Sequence, residues 1–168
     1  MKQKEWYFAD KKDWGEGPWR KESDKVQWVD KDTGLPCLIV RNDRVTGALC
    51  GYVGVDEGHP WFGKSYMEID QFGNISVHGG LTYGDFCQEN NKEQGICHVS
   101  EDGVKRYWFG FDCAHSGDLS PRMESMTAKY RHLVPGLSRI KDWETYKDIA
   151  YVKEQCAELA KQIKAAVK

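Results

Sequence analysis

The sequence predicts an α+β fold: an antiparallel β-sheet with a C-terminal α-helix packed on one face. Three observations lead there. Strand-like runs fill the first two thirds of the chain, turn residues separate them, and one long helical stripe closes it. At 168 residues the chain is the size of a single domain, spanning 1–168.

The elements follow in order. Residues 1–16 are charged and aromatic and read as a loosely packed N-terminal arm. Val26 to Asp30 and Pro36 to Arg41 are apolar runs joined by Lys31-Asp32-Thr33-Gly34-Leu35, a hairpin with a glycine turn. Gly47 to Val55 is apolar on both faces, the pattern of a central strand. Asn74 to Tyr83 reads as a fourth strand and Arg106 to Ala114 as a fifth. Residues 56–73 and 84–105, rich in glycine and charge, read as loops. A shorter helix is expected within 122–140, ending before Pro135-Gly136. Asp142 to Lys168 lacks Gly and Pro and repeats apolar residues at helical spacing, with Asp142 as the expected N-cap.

Composition narrows the function classes. Leu, Ile, Val and Phe make up just under a fifth of the chain, but Trp 7 and Tyr 8 compensate, and the net charge is only −2. Disordered chains lack aromatics and carry strong net charge, so the core is expected to be aromatic. Nucleic acid is not an expected partner, because no basic run or groove is apparent. No stretch approaches the ~20 apolar residues of a membrane span, and no signal-like run opens the chain, so a cytoplasmic location is expected. There the six cysteines are expected to be reduced. Residues 34–121 carry most of the glycine, cysteine and histidine and a net charge of −6, which makes them the place to seek a site.

Several blocks lie in this region and just before it. They are Gly17-Pro18-Trp19, Thr33-Gly34-Leu35-Pro36-Cys37-Leu38-Ile39-Val40-Arg41, Leu49-Cys50-Gly51-Tyr52-Val53-Gly54-Val55 and Gly58-His59-Pro60. Val77-His78-Gly79-Gly80-Leu81-Thr82-Tyr83 and Trp108-Phe109-Gly110-Phe111-Asp112-Cys113-Ala114-His115 follow. In combination they resemble a family of small uncharacterised bacterial and phage proteins. The resemblance runs from about residue 17 to the C-terminal helix. It implies a small intracellular protein in a phage-carried setting, and it implies no activity and no catalytic residues.

The candidate ligand-binding residues are His59, Trp61, His78, Asp112, His115 and Asp118. Trp61 follows His-Pro in a loop, and His78 sits on a polar strand face beside two glycines. His115 ends a strand, with Asp112 and Asp118 near it. Imidazoles and carboxylates of this kind bind a divalent transition metal such as zinc, here through His78, His115 and Asp112. The same residues also suit a purely structural network in which His115 ties the strand end to its loop. The spacings match no ligand signature such as HExxH, which favours the structural reading. A thiol nucleophile, Cys97 or Cys113 beside a histidine, is disfavoured by sequence geometry and burial. Gly58-His59-Pro60-Trp61-Phe62-Gly63-Lys64-Ser65 satisfies the P-loop pattern, but Pro60 lacks an N–H and two aromatics crowd the loop. His78-Gly79-Gly80 resembles an oxyanion loop without the GxSxG elbow that accompanies one.

Three functions remain open. The first is capture of a small polar molecule in a His/Asp/Trp-lined cleft, to sequester it or interfere with a host. The second is a metal-dependent hydrolase, and the third an acidic module that binds a host protein. The sequence does not decide whether the protein is an enzyme.

Overall fold

The structure, a computed structural model, describes residues 3–71, 73–99, 103–133 and 143–167. Its strands are β1 (Lys4–Trp6), β2 (Lys25–Val29), β3 (Pro36–Arg41), β4 (Leu49–Asp56), β5 (Tyr83–Phe86) and β6 (Arg106–Asp112). Its helices are α1 (Tyr66–Ile69), α2 (Pro121–Tyr130) and α3 (Ile149–Ala165). The strands form one sheet in the order β1-β2-β3-β4-β6-β5, with every neighbouring pair antiparallel. The C-terminal helix packs on this sheet, so the α+β architecture is as the sequence predicts. The β2–β3 turn closes on Gly34 at φ 76°, while Asp30 accepts hydrogen bonds from the Thr33 amide and hydroxyl.

The two sheet faces are covered differently. Val26, Ile39, Val53, Phe109 and Phe111 meet Val152, Cys156, Leu159 and Ile163 of α3. Each fully buried aliphatic side chain there contributes about 1.5–3 kcal/mol. On the opposite face Leu38, Tyr52 and Trp108 pack with Ile96 from the loop after β5. Aromatics fit because glycines oppose them. Gly51 pairs with Phe111 and Gly110 with Tyr52, and a methyl group on either glycine would stand 2.4 or 2.2 Å from the facing ring.

Buried charge fastens the covering segments. Lys25, on the loop-covered face, donates to the carbonyls of Gly95 at 2.9 Å and Cys97 at 2.6 Å, and also to that of Lys92. Arg41 donates to Asp24 at 2.8 Å, Glu22 at 3.0 Å, the Gly47 carbonyl at 2.9 Å and the Tyr146 hydroxyl at 2.9 Å. Glu22 in turn accepts the Ile149 amide at 3.1 Å, fixing the start of α3 to the sheet.

Four expectations are corrected. Residues 74–82 are not a strand: only Tyr83–Phe86 pairs with β6. The amides of Ile75, Ser76 and His78 go instead to the side chains of Asp70, Gln162 and Gln155, so no ladder forms. The last helix starts at Ile149 with Asp148 as its N-cap, because the preceding Thr145 pairs with residues 117–119 in an extended bridge. Asp142, like Pro135-Gly136, lies outside the described residues. The N-terminal segment is anchored rather than loose: β1 pairs with β2, Asp24 accepts the Phe8 and Ala9 amides, and Trp14 is buried. The cysteines are not all free thiols, since Cys87 and Cys97 form a disulfide. The loop between them doubles back through a Gln88-to-Ile96 backbone bond, which brings the two cysteines together.

Candidate functional site

The site forms where the 75–80 turn, the loop after β6 and the first turns of α3 converge. Tyr151 and Gln155 are four residues apart on α3 and so share a face. Gln155 accepts the His78 amide at 2.9 Å. The Tyr151 hydroxyl meets His78 Nδ1 at 2.9 Å, and His78 Nε2 meets Asp118 Oδ2 at 2.7 Å. One tautomer satisfies both contacts: Tyr151 donates to Nδ1, and Nε2–H donates to the carboxylate. Burial, reinforced by the nearby Cys113 and Asp118, raises the Tyr151 hydroxyl above its ordinary pKa and keeps it a donor.

Asp118 is the least exposed member, at 3%. Its Oδ2 also accepts the His115 amide at 3.0 Å, and Lys147 Nζ stands 3.7 Å from Oδ1. The His115 ring lies edge-to-face with that of His78, centroids 5.6 Å apart. Its Nδ1 is 3.7 Å from both Asp112 Oδ1 and Asp118 Oδ2, too far for a hydrogen bond to either. That nitrogen is buried without a hydrogen-bond partner.

His115 and Asp118 line a cleft of about 270 Å³ between the loop after β6 and α2. Ser120, Glu124, Thr127 and Glu144 form much of its remaining wall. Carboxylates and hydroxyls dominate, so the cleft favours cationic and hydrogen-bonding groups over apolar ones or phosphate.

Of the six residues expected in one site, the structure gathers His78, Asp112, His115 and Asp118. His59 and Trp61 lie elsewhere. His59 donates from Nε2 to the Ile163 carbonyl at 3.0 Å and accepts the Trp61 amide at Nδ1, 3.1 Å away. Trp61 packs edge-on against Phe109 of the core. Ile163 is a dozen residues along α3 from Tyr151, roughly 18 Å of helix. Asp112, of the metal trio named from sequence, stands 3.7 Å from His115 Nδ1, and Asp118 stands equally near while also bonding His78. Asp118 takes its place: one donor atom from each of His78, His115 and Asp118 falls within a span of 4.8 Å.

Sequence reasoning missed Tyr151, Gln155 and Lys147. Gln155 and Gln162 lie seven apart beside the apolar stripe of α3, and both accept amides from residues 76–78. Polar residues repeating at the edge of a buried stripe are the signal that could have found this second packing face.

The structure also disposes of the rival motifs. In the P-loop-like segment the Gly58 and His59 amides donate to the Asp56 carbonyl, those of Trp61, Phe62 and Lys64 bond within the segment, and that of Ser65 goes to Glu68. No cradle of free N–H groups is left for a phosphate, and the helix that follows is four residues long. Cys113 is buried, which pushes its thiol well above the ordinary value, and Cys97 is in the disulfide. Neither supplies a thiolate to a histidine.

Fold and site together define an α+β protein with a His–Asp cluster, two of whose members, His115 and Asp118, line an acidic cleft. Comparison with protein-family models, curated proteins and solved structures found no match to this chain. Among the described residues, no helix is long and apolar enough to cross a membrane.

Proposed function

We propose that this protein captures a small, polar, positively charged molecule in the cleft floored by His115 and Asp118. One observation carries the reading: His115 lines that cleft, and its Nδ1 is buried without a hydrogen-bond partner. A buried polar atom left unsatisfied costs about 1–3 kcal/mol, which a bound group would relieve. The carboxylates of Glu124 and Glu144 on the walls suit an amine, and the hydroxyls of Ser120 and Thr127 suit further polar groups. A sequestering role fits the phage setting that the family resemblance implies. The proposal keeps the protein in the cytoplasm, where cellular thiols make the Cys87–Cys97 bond reversible.

Thermal unfolding with ethanolamine, putrescine and glucosamine as probes tests the reading. At least one should raise the melting temperature in a concentration-dependent way, by linkage. His115→Ala should remove that response. A flat response of the unaltered protein to all three would overturn the proposal.

A further inference from the structure

We propose that His78, His115 and Asp118 form a binding site for one divalent transition-metal ion of the zinc class. This deepens the cleft reading and rests on it, since His115 and Asp118 line the cleft and the metal ion would be the positive charge that its carboxylates attract.

The donor set is the right kind. Two imidazoles and a carboxylate are the ligands of catalytic zinc sites, which keep further positions open. Two of the three spacings are close to what coordination needs, and the whole set lies within 4.8 Å. Metal–ligand bonds of about 2.0–2.2 Å at a tetrahedral angle put donor atoms roughly 3.4 Å apart. His115 Nδ1 and Asp118 Oδ2 are already 3.7 Å apart. His78 Nε2 and Asp118 Oδ2, at 2.7 Å, must part by roughly 0.7 Å as coordination replaces their hydrogen bond.

The supporting groups are also in place. A histidine ligand commonly donates its second ring N–H to a neighbour that fixes its tautomer. Tyr151 stands at His78 Nδ1 for this role. On metal binding the single proton of His78 resides on Nδ1, the Tyr151 hydroxyl becomes its acceptor, and Nε2 offers its lone pair. The His115 amide holds Asp118 in orientation. Gly79, with no side chain, lets the His115 ring lie against the 77–80 turn and so against His78. Lys147 is the opposing group, because its ammonium beside Asp118 Oδ1 repels a cation.

The test uses full-length protein stripped with chelator and dialysed free of it. Zinc is titrated calorimetrically and cobalt(II) by its visible absorption. The expected result is one equivalent of zinc, with the strong visible bands of low-coordinate cobalt. His115→Ala and Asp118→Asn should abolish saturable binding. Tyr151→Phe should weaken it about 10–100-fold, and Lys147→Met should tighten it several-fold. His132→Ala, at an exposed histidine outside the cluster, should leave it unchanged.

Absence of saturable binding by the unaltered protein overturns the proposal, whatever the variants do. Binding that survives both His115→Ala and Asp118→Asn also overturns it, since the ion then lies elsewhere. The two readings are separable: amine stabilisation with chelator present and no saturable zinc binding overturns the metal site and keeps the cleft, whereas one equivalent of zinc with no amine response overturns amine capture and keeps the metal site.

Discussion

The ring of His115 lies against the α-carbon of Gly79, so close that a methyl group there would stand 2.2 Å from Cε1. Gly79 is also held at φ 66°, in the left-handed region. The turn thus needs glycine for its backbone, and the histidine needs it for space. Gly79→Ala should destabilise the protein by about 1–2 kcal/mol from the backbone alone, and it should shift the His115 ring resonances. Gly58→Ala is the comparison, because a methyl there meets nothing within 4 Å. Equal urea midpoints for the two variants would contradict this account of Gly79.

The Arg41 guanidinium is fully buried and ties Asp24, Glu22 and Tyr146 together. Removing it takes the guanidinium from Glu22 and leaves buried Asp24 with Lys11 as its cation. Arg41→Leu should cost about 3–5 kcal/mol in urea unfolding. A loss below about 1 kcal/mol would mean that the network is not a stabilising hub.

Alkaline pH should destabilise the fold. The thiols of Cys37, Cys50, Cys113 and Cys156 are free, and burial raises all four, Cys50 to about 12. Above ~8.5 the unfolded chain releases these protons while the folded chain keeps them. Folding is then disfavoured by up to about 1.4 kcal/mol per pH unit for each thiol. Lys25 and Lys11 act in the other direction, because burial lowers both, Lys25 to about 8. Their protons are lost from the folded chain first, and stability gains up to their usual 10.5. Four groups outweigh two, and the urea midpoint should fall between pH 8 and pH 10. A level or rising midpoint would refute the prediction.

The Cys87–Cys97 bond is directly measurable. Protein prepared without reductant should be lighter by two hydrogens than the reduced form, with a cross-linked peptide joining the two cysteines. Reduction should lower stability by about 2–3 kcal/mol, the range for a short closed loop. Unreacted thiols at both positions in non-reduced protein would show that the bond does not form.

Legibility followed the range of the interactions. The Val26–Arg41 hairpin and the central strand Gly47–Val55 were readable because apolar runs and a Gly34 turn are local signals. The strand read at 74–83 was not there, because Gln155 and Gln162 of α3, far along the chain, take the amides that a ladder would have used. The helix start was set late for a similar reason, since Thr145 bonds to Gly117 and Leu119 instead of to its own neighbours. His78, His115 and Asp118 were recognisable by residue type. Trp61 and His59 were drawn into the same site only because nothing local reveals that His59 bonds to the Ile163 carbonyl.

By itself the sequence determined the α+β class, the aromatic-rich core and the residue types available for chemistry, since these depend on periodicity and composition. The tertiary structure alone decided which of them meet. It brought His78 to Asp118 and Tyr151, left Asp112 at the margin, and sent His59 and Trp61 to the far end of α3. The physical reason is that a hydrogen bond needs a few tenths of an ångström of positioning. That positioning comes from contacts between segments 40, 73 and 104 residues apart, which no local pattern encodes.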